Sequence, residues 1–300
     1  MLSSPALITE YLSYCNSNKR LDSKTIKAYR IDLNQFSSRF DDNQQITSTD
    51  LNTYIAELHA KYKPKTVKRK IASLKAFFTY LEENDILYAN PFSRIHTKFR
   101  EPQTLPRTIP LPTIEKLLSS LYKYNRTAPT PYAYRSSLQA IAIIELLFAT
   151  GIRISELCSI QISDIDLINK YVRIHGKGKK ERLLHIGNPE CINALIKYQH
   201  EFESIITQTE LFFPVSDQVI RRMINKHCRI AGINLHITPH MFRHTFATSL
   251  LEADVDIRYI QEFLGHSSIA ITEIYTHTTL RKQREILSTA HPRIGMIIDG

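Results

Sequence analysis

The 300 residues of the chain are enough for two domains of ordinary size, and a hydrophobic content of 43% excludes wholesale disorder. The formal net charge of +10 favours an anionic partner, and nucleic acid is the commonest one. Composition leaves open the alternative that the excess charge only keeps the protein in solution.

Cysteine spacing and hydropathy narrow the cellular setting. The four cysteines lie far apart without a CxxC pair, which argues against a zinc ribbon or a disulfide framework and predicts a reducing cytoplasm. The N-terminal stretch lacks the basic-then-apolar order of a signal peptide. The longest apolar stretch, LQAIAIIELLFATGI, is shorter than a membrane span and contains Glu145, so we expect a buried helix and no membrane association.

The first hundred residues are predicted to be helical. Two stretches carry apolar residues at helical spacing: Ile26, Tyr29, Leu33 and Phe36 in the first, and Val67, Ile71, Leu74, Phe77 and Leu81 in the second. Pro91 then ends helical structure. The stretch FSRIHTKFREPQTLPRTIPLP contains four prolines and no sustained periodicity, so we place a linker at 96–110 with the boundary near residue 105.

The rest of the chain is predicted to be mainly helical with one small β-sheet. A long helix runs through SLQAIAIIELLFAT and stops at Gly151. The alternating runs YVRIH and RLLHI flank GKGKKE, which is typical of a β-hairpin with a glycine-bearing turn. Several helices follow up to the C-terminus.

Two short stretches around this hairpin carry candidate functional residues. Arg153 follows the helix-ending glycine in ATGIRISEL, although a surface ion pair with Glu156 three residues on explains it equally well. Lys177 stands between two glycines at the hairpin turn, where backbone can approach a ligand closely. A solvated turn is the alternative there.

The stretch TPHMFRHTFATSL places His240, Arg243 and His244 on one face near the start of a helix, where an anion is favoured. The two histidines have a zinc spacing, but the zinc hydrolase motif needs a glutamate where this chain has Met241. The guanidinium of Arg243 would oppose a dication and matches two phosphate oxygens. We therefore favour a phosphate over zinc and expect no metal.

The stretch FLGHSSIAITEIYTH adds His266 after a helix-ending glycine and Tyr275 on the next predicted helix. Singly, a tyrosine on a helix is usually a packing residue, and a histidine after a glycine is usually a turn residue. All these stretches occurring in this order in one basic chain are much harder to explain as packing and turns.

In that order, the motifs resemble the tyrosine recombinases of the phage-integrase superfamily, in particular Xer-like site-specific recombinases. The resemblance covers nearly the whole chain and is carried by SKTIKAYRIDLNQF, VKRKIASLKAFFTYL, LFATGIRISELCSI, IHGKGKKERLLHI, ITPHMFRHTFATSLL and LGHSSIAITEIYTH. It implies a helical, SAM-like core-binding domain at 1–95, the linker at 96–110, and a mixed α/β catalytic domain with a C-terminal tail at 111–300.

The resemblance also implies a complete catalytic set. Its members are Arg153, Lys177, His240, Arg243, His266 and the nucleophile Tyr275. The two arginines would stabilise charge on the phosphate, with a further hydrogen bond from His266. His240 would accept the phenol proton, and Lys177 would protonate the leaving 5′-oxygen. The product would be a 3′-phosphotyrosyl link, made without metal, ATP or cofactor.

The expected partner is double-stranded DNA with a specific recombination site. The stretch KYKPKTVKRK supplies phosphate contacts from Lys61, Lys63, Lys65, Lys68, Arg69 and Lys70, although a solvated helix start is the alternative. The resemblance implies a homo- or hetero-tetramer in which the C-terminal tail docks on a neighbouring protomer; packing on its own domain is the alternative. An activating partner protein fits the sequence too.

Several functions share this chemistry or this charge. The sequence does not separate dimer resolution on chromosomes or plasmids, integration or excision of a mobile element, and inversion of a DNA segment. A type IB topoisomerase-like enzyme is disfavoured by the Xer-like layout. A non-catalytic DNA-binding protein is disfavoured by the presence of Arg153 and Tyr275.

Overall fold

The computed structural model describes residues 4–40, 46–97, 99, 107–176, 181–265, 280–296 and 298. The chain divides into two compact units, Met1–Thr104 and Leu105–Gly300. The described part is mainly helical with one small sheet, so the predicted fold class is confirmed.

In its described residues, the N-terminal unit is built from four α-helices. They are α1 (Pro5–Ser17), α2 (Ser23–Ser37), α3 (Ser48–Lys61) and α4 (Pro64–Glu83), followed by a 3-10 turn at Pro91–Arg94. The side chains of Ser4, Asp22 and Thr47 accept backbone N–H bonds at the starts of α1, α2 and α3. The predicted periodicity of α4 is confirmed, because Val67, Ile71, Leu74, Phe77 and Leu81 are all buried in one core.

A buried ion pair inside this unit corrects one sequence-based prediction. The side chain of Asp32 on α2 is fully buried, and its Oδ1 lies 2.9 Å from Nζ of Lys70 on α4. Lys70 also donates to Gln35 Oε1 at 2.5 Å, and Arg69 pairs with the second oxygen of Asp32. The ammonium of Lys70 is therefore part of a buried ion pair in the core, since a buried charge needs a partner. It is not available to a DNA phosphate.

The C-terminal unit surrounds one buried helix. Its described α-helices are α5 (Leu111–Arg126), α6 (Pro131–Thr150), α7 (Ile154–Leu157), α8 (Pro189–Thr209), α9 (Asp217–Ile230), α10 (Pro239–Glu252), α11 (Ile257–Leu264) and α12 (Leu280–Thr289). A 3-10 turn at Ile162–Asp164 follows α7. Every residue of α6 from Ala140 to Thr150 is buried, and α5, α8, α9 and α10 pack around it. The apolar run that was too short for a membrane is thus the core helix of this unit.

The predicted hairpin forms two strands of a three-stranded antiparallel sheet. The strands are β1 (Ile165–Asp166), β2 (Tyr171–His175) and β3 (Glu181–His185), in the order β1-β2-β3. Ile174 pairs with Arg182 in the register of β2 and β3. The turn itself, 177–180, lies outside the described residues.

The segment after α12 packs on its own unit through buried polar groups. The Nε2 of His291 lies 3.1 Å from the carbonyl oxygen of Phe148, and its Nδ1 accepts the N–H of Arg293 at 3.0 Å. Nη2 of Arg293 lies 3.7 Å from Oε1 of Glu145, a fully buried carboxyl on α6. This single chain therefore shows the own-domain packing that the sequence left as an alternative. Among the described helices, none is long and apolar enough to cross a bilayer.

We predict that His291 makes the unfolding of this unit sensitive to acid. Burial is the largest cause that lowers the pKa of His291 to about 4, below the value of about 6.5 in an unfolded chain. Above pH 6.5 His291 is neutral in both states, so its titration does not lower the free energy of unfolding. As the pH falls towards 4, the unfolded state binds a proton that the folded state does not. The free energy of unfolding should therefore fall by about 3 kcal/mol from this residue.

The measurement is urea denaturation of the full chain at pH 7 and pH 4.5. His291→Gln removes the titration and should reduce the difference between the two pH values. His236→Gln, at an exposed position, is the control and should leave that difference unchanged. An identical pH dependence in all three proteins would contradict the prediction.

Candidate active site

Arg153 lies at the junction between α6 and α7. The helix α6 ends at Gly151, which has φ of 62° in the left-handed region, and Arg153 forms the N-cap of α7. Its backbone N–H donates to Glu156 Oε2 at 2.8 Å and its Nη1 to Glu156 Oε1 at 2.7 Å. The ion pair with Glu156 considered from the sequence is therefore present. The Arg153 side chain stays 37% exposed, so its guanidinium can still meet an incoming group.

Arg243 connects the ends of two helices to α10. Its Nη1 donates to the carbonyl oxygen of Gly151 at 3.0 Å, and its Nη2 donates to that of Leu264, the last residue of α11, at 2.6 Å. Burial is the largest cause that lowers its pKa to about 10, followed by the positive charge of Arg153. Arg243 is thus a buried guanidinium that remains protonated at neutral pH. It lies close enough to Arg153 for the two positive charges to repel each other.

His240 and His244 are held as neutral imidazoles at neutral pH. Desolvation of the ring is the largest cause that lowers the pKa of His240, although the residue as a whole is exposed. The positive charge of Arg221 follows, with smaller effects of His244, Arg243 and Arg153. Burial and Arg243 lower the pKa of His244 in the same way. A neutral imidazole can accept a proton, which is what a general base requires.

The structure places two further arginines at this site that the sequence analysis missed. Arg182 donates to both oxygens of Glu156, at 3.2 and 2.8 Å, and to the carbonyl oxygen of Phe263 at 2.8 Å. Arg221 on α9 acts on His240 through its charge. Neither residue carried a spacing signal, because both stand in stretches with several other cations.

The structure brings together three of the six predicted catalytic residues: Arg153, His240 and Arg243. The other three, Lys177, His266 and Tyr275, lie outside the described residues. Gly265, directly before His266, is described and ends α11 with φ of 61°. The described groups form a site of concentrated positive charge with a proton acceptor beside it, which suits an oxyanion such as a phosphate.

The alternative of a metal centre concerns the pair His240 and His244. Within the ranges that the structure covers, no group of three histidine, cysteine or acidic side chains is arranged to bind a metal ion. The HxxxH pair of His240 and His244 instead lies in the field of Arg243, which would repel a dication.

The predicted DNA-binding cations of the N-terminal unit divide into two groups. Four lysines are exposed at the end of α3 and the start of α4: Lys61, Lys63, Lys65 and Lys68. Arg69 is 43% exposed but paired with Asp32, and Lys70 is buried. The four lysines therefore present their charge to solvent, Arg69 does so while paired with Asp32, and Lys70 does not.

Known tyrosine recombinases match this chain over almost its whole length. The model of the Phage integrase family matches residues 114–282, and that of the Phage integrase N-terminal SAM-like domain matches residues 8–84. A tyrosine recombinase of Agathobacter rectalis is 58% identical and covers 95% of this chain and 96% of the relative. The tyrosine recombinase XerD of Listeria monocytogenes is 34% identical, with 96% and 99% covered.

A solved structure shows the same fold at low sequence identity. The XerH site-specific recombinase bound to a palindromic difH substrate has a TM-score of 0.71 and 21% identity, covering 95% of this chain and 84% of that one. The chain belongs to the phage integrase family and is a tyrosine recombinase.

We predict that Gly151 cannot carry a side chain without disturbing this site. A Cβ there would lie 2.6 Å from Cδ1 of Phe246, and the left-handed backbone alone costs about 1–2 kcal/mol for an L-residue. Gly151→Ala should therefore lower the melting temperature by more than Gly232→Ala. Gly232 has φ of 61° but nothing nearer than 3.9 Å, so it isolates the backbone cost. Equal losses in the two variants would show that the close approach to Phe246 is unimportant.

Proposed function

We propose that this tyrosine recombinase cuts and rejoins double-stranded DNA at a specific site through a 3′-phosphotyrosyl intermediate. The observation that carries the proposal is the convergence of two guanidiniums, Arg153 and Arg243, beside the neutral imidazole of His240. A phosphodiester is an anion that repels nucleophiles, so fixed cations that strengthen their hold as charge develops lower the barrier.

Tyr275 is the proposed nucleophile on the strength of its position in the family motif. A phenol with a pKa of about 10 is mostly protonated at neutral pH and needs a proton acceptor. We assign that role to His240, since its imidazole is neutral and acts beside both arginines. His266 donates a further hydrogen bond to the phosphate, and Lys177 protonates the departing 5′-oxygen.

Rejoining uses the same groups in reverse. The phosphotyrosyl link retains the energy of the broken bond, so the 5′-hydroxyl of a second strand can displace the tyrosine without ATP. Neither a metal nor a cofactor has a role in the proposed steps, because the charge on the phosphate is met by guanidiniums.

We propose three parts of the chain for this work: a core-binding domain at 1–95, a linker at 96–110 and a catalytic domain with a tail at 111–300. The first supplies phosphate contacts from the exposed lysines at its α3–α4 corner, which set affinity rather than sequence choice. The match of the SAM-like domain to residues 8–84 supports this division.

Assembly on DNA is proposed as a homo- or hetero-tetramer. A lambda integrase structure with a TM-score of 0.63 to this chain is a tetramer bound to a Holliday junction. Exchange of the tail between protomers would require His291 and Arg293 to leave their own α6 and occupy the same position on a neighbour. An activating partner protein and a cytoplasmic location complete the proposal; the four free thiols agree with a reducing compartment.

Loss of the phenol should separate DNA binding from covalent chemistry. Tyr275→Phe removes the nucleophilic oxygen and nothing else, so duplex binding should persist while the covalent protein–DNA adduct disappears. The assay denatures the protein in detergent after incubation with a random-sequence duplex library and detects DNA that stays attached. Tyr132→Phe, at an exposed position on α6, is the control and should form adduct as the parent does.

Sequencing of the trapped DNA from the parent protein would identify the target site. An adduct that persists in Tyr275→Phe would mean that another residue is the nucleophile. A parent protein that binds duplex but never forms an adduct would refute the proposed reaction.

The exposed lysines at the start of α4 should contribute to the salt dependence of DNA binding. Each phosphate contact adds about 0.9 to the slope of log affinity against log salt. Lys63→Gln with Lys65→Gln should therefore reduce the slope by up to about 2, measured by fluorescence anisotropy with a fixed duplex. The matched control is Lys123→Gln with Lys197→Gln, two exposed lysines of the other unit. Equal slopes in both double variants would assign Lys63 and Lys65 to a solvated helix start.

A further inference from the structure

Arg182 lies where three elements of the catalytic unit meet. It is the second residue of β3, and its side chain is only 12% exposed. Its Nη1 and Nη2 donate to the two oxygens of Glu156, and its Nε donates to the carbonyl oxygen of Phe263 near the end of α11. The planar fork of an arginine matches a carboxylate in this way, whereas the single ammonium of a lysine cannot.

Glu156 is shared between Arg182 and Arg153. The same two carboxylate oxygens accept the backbone N–H and the Nη1 of Arg153. In the part of the chain that the structure describes, Nη1 is the only guanidinium nitrogen of Arg153 with a hydrogen bond, so Nε and Nη2 are left for an incoming anion. Because the carboxylate of Glu156 pairs with Arg182 as well, it holds Arg153 in place without cancelling the positive charge of Arg153.

Arg182 also fixes the end of α11. Its bond to the Phe263 carbonyl stands next to the bond from Arg243 to the Leu264 carbonyl, so two guanidiniums satisfy carbonyls that a helix end leaves without partners. At Gly265 a Cβ would lie 2.9 Å from Nη1 of Arg182, which shows how closely the chain passes it. The following residue in the sequence is His266.

We propose that Arg182 is a positioning residue for strand cleavage, which holds Glu156 and the end of α11 in register with Arg153 and Arg243 and does not contact the DNA. The reaction that it serves is the proposed function above, whereas its positioning role depends only on its own contacts. Nothing in the spacing of the motifs marked this residue, because its partners are 26 and 81 residues away in the chain.

The first test compares DNA binding with cleavage in the full-length protein. Arg182→Gln and Arg182→Lys should each slow adduct formation about 100-fold, the loss expected when a catalytic group moves by about 1 Å, while duplex affinity stays that of the parent. Arg173→Gln on the neighbouring strand β2 removes the same charge from an exposed position and should change neither quantity. A loss of affinity that matches the loss of cleavage would make Arg182 a DNA-contacting residue and overturn the proposal.

The second test asks whether Arg182 acts through Glu156. If it does, the loss in the double variant Glu156→Gln/Arg182→Gln should be smaller than the product of the two single losses, because only the bond to Phe263 remains to be lost once Glu156 is changed. Losses that multiply would show that the two residues act independently, which contradicts the proposed role.

The third test needs no activity. Amide hydrogen exchange should be faster in Arg182→Gln than in Arg173→Gln for peptides that cover 153–157 and 260–265, because the bonds that hold these segments are lost. Unchanged exchange would overturn the proposal whatever the cleavage rate. Faster exchange in a protein whose parent forms no adduct would refute the proposed function and leave the positioning role standing. If Arg182→Gln does not fold, Arg182→Lys serves in each comparison.

Discussion

A single buried carboxylate allows the positive charge of this site to exist before any DNA arrives. Glu156 accepts hydrogen bonds from Arg153 and Arg182, and it is almost fully buried. Burial alone would raise its pKa, yet the bonds from the two arginines hold that pKa below its ordinary value. The carboxylate therefore stays charged at neutral pH and offsets the repulsion between the neighbouring guanidiniums. Donors fixed in this way need no rearrangement when charge develops on a substrate.

Helix ends also balance the charge of Arg243, in addition to the carboxylate of Glu156. Arg243 has only backbone carbonyls as hydrogen-bond partners among the described residues, one from the end of α6 and one from the end of α11. Each of these helices ends at a glycine in the left-handed conformation, Gly151 for α6 and Gly265 for α11. The carbonyls at both ends are therefore presented to Arg243. Positive charge placed there is stabilised by the carbonyl dipoles while it remains available to an anion.

The basic residues at the start of α4 have two different structural roles. Lys70 and Arg69 serve the core through Asp32, which joins α2 to α4, whereas the lysines that precede them face solvent. One run of basic residues thus combines a structural pair with a surface suited to phosphates. The division follows the turn of the helix: Lys70 lies on the inner face, where a charge must be paired, and Lys65 and Lys68 lie on the outer face.

The sequence by itself determined the helices of α4 and α6 and the β2–β3 hairpin. It also predicted a two-part layout and the site residues Arg153, His240 and Arg243, which the structure brings together. These depend on periodicity, on turn residues and on motifs that are contiguous in the chain, and each is a local property. Lys177, His266 and Tyr275 stay predictions of the family motif. Only the tertiary structure decided that Lys70 is buried and that Arg182 supports the site. Both outcomes depend on partners tens of residues away, which come within hydrogen-bond distance only when the helices and the sheet pack.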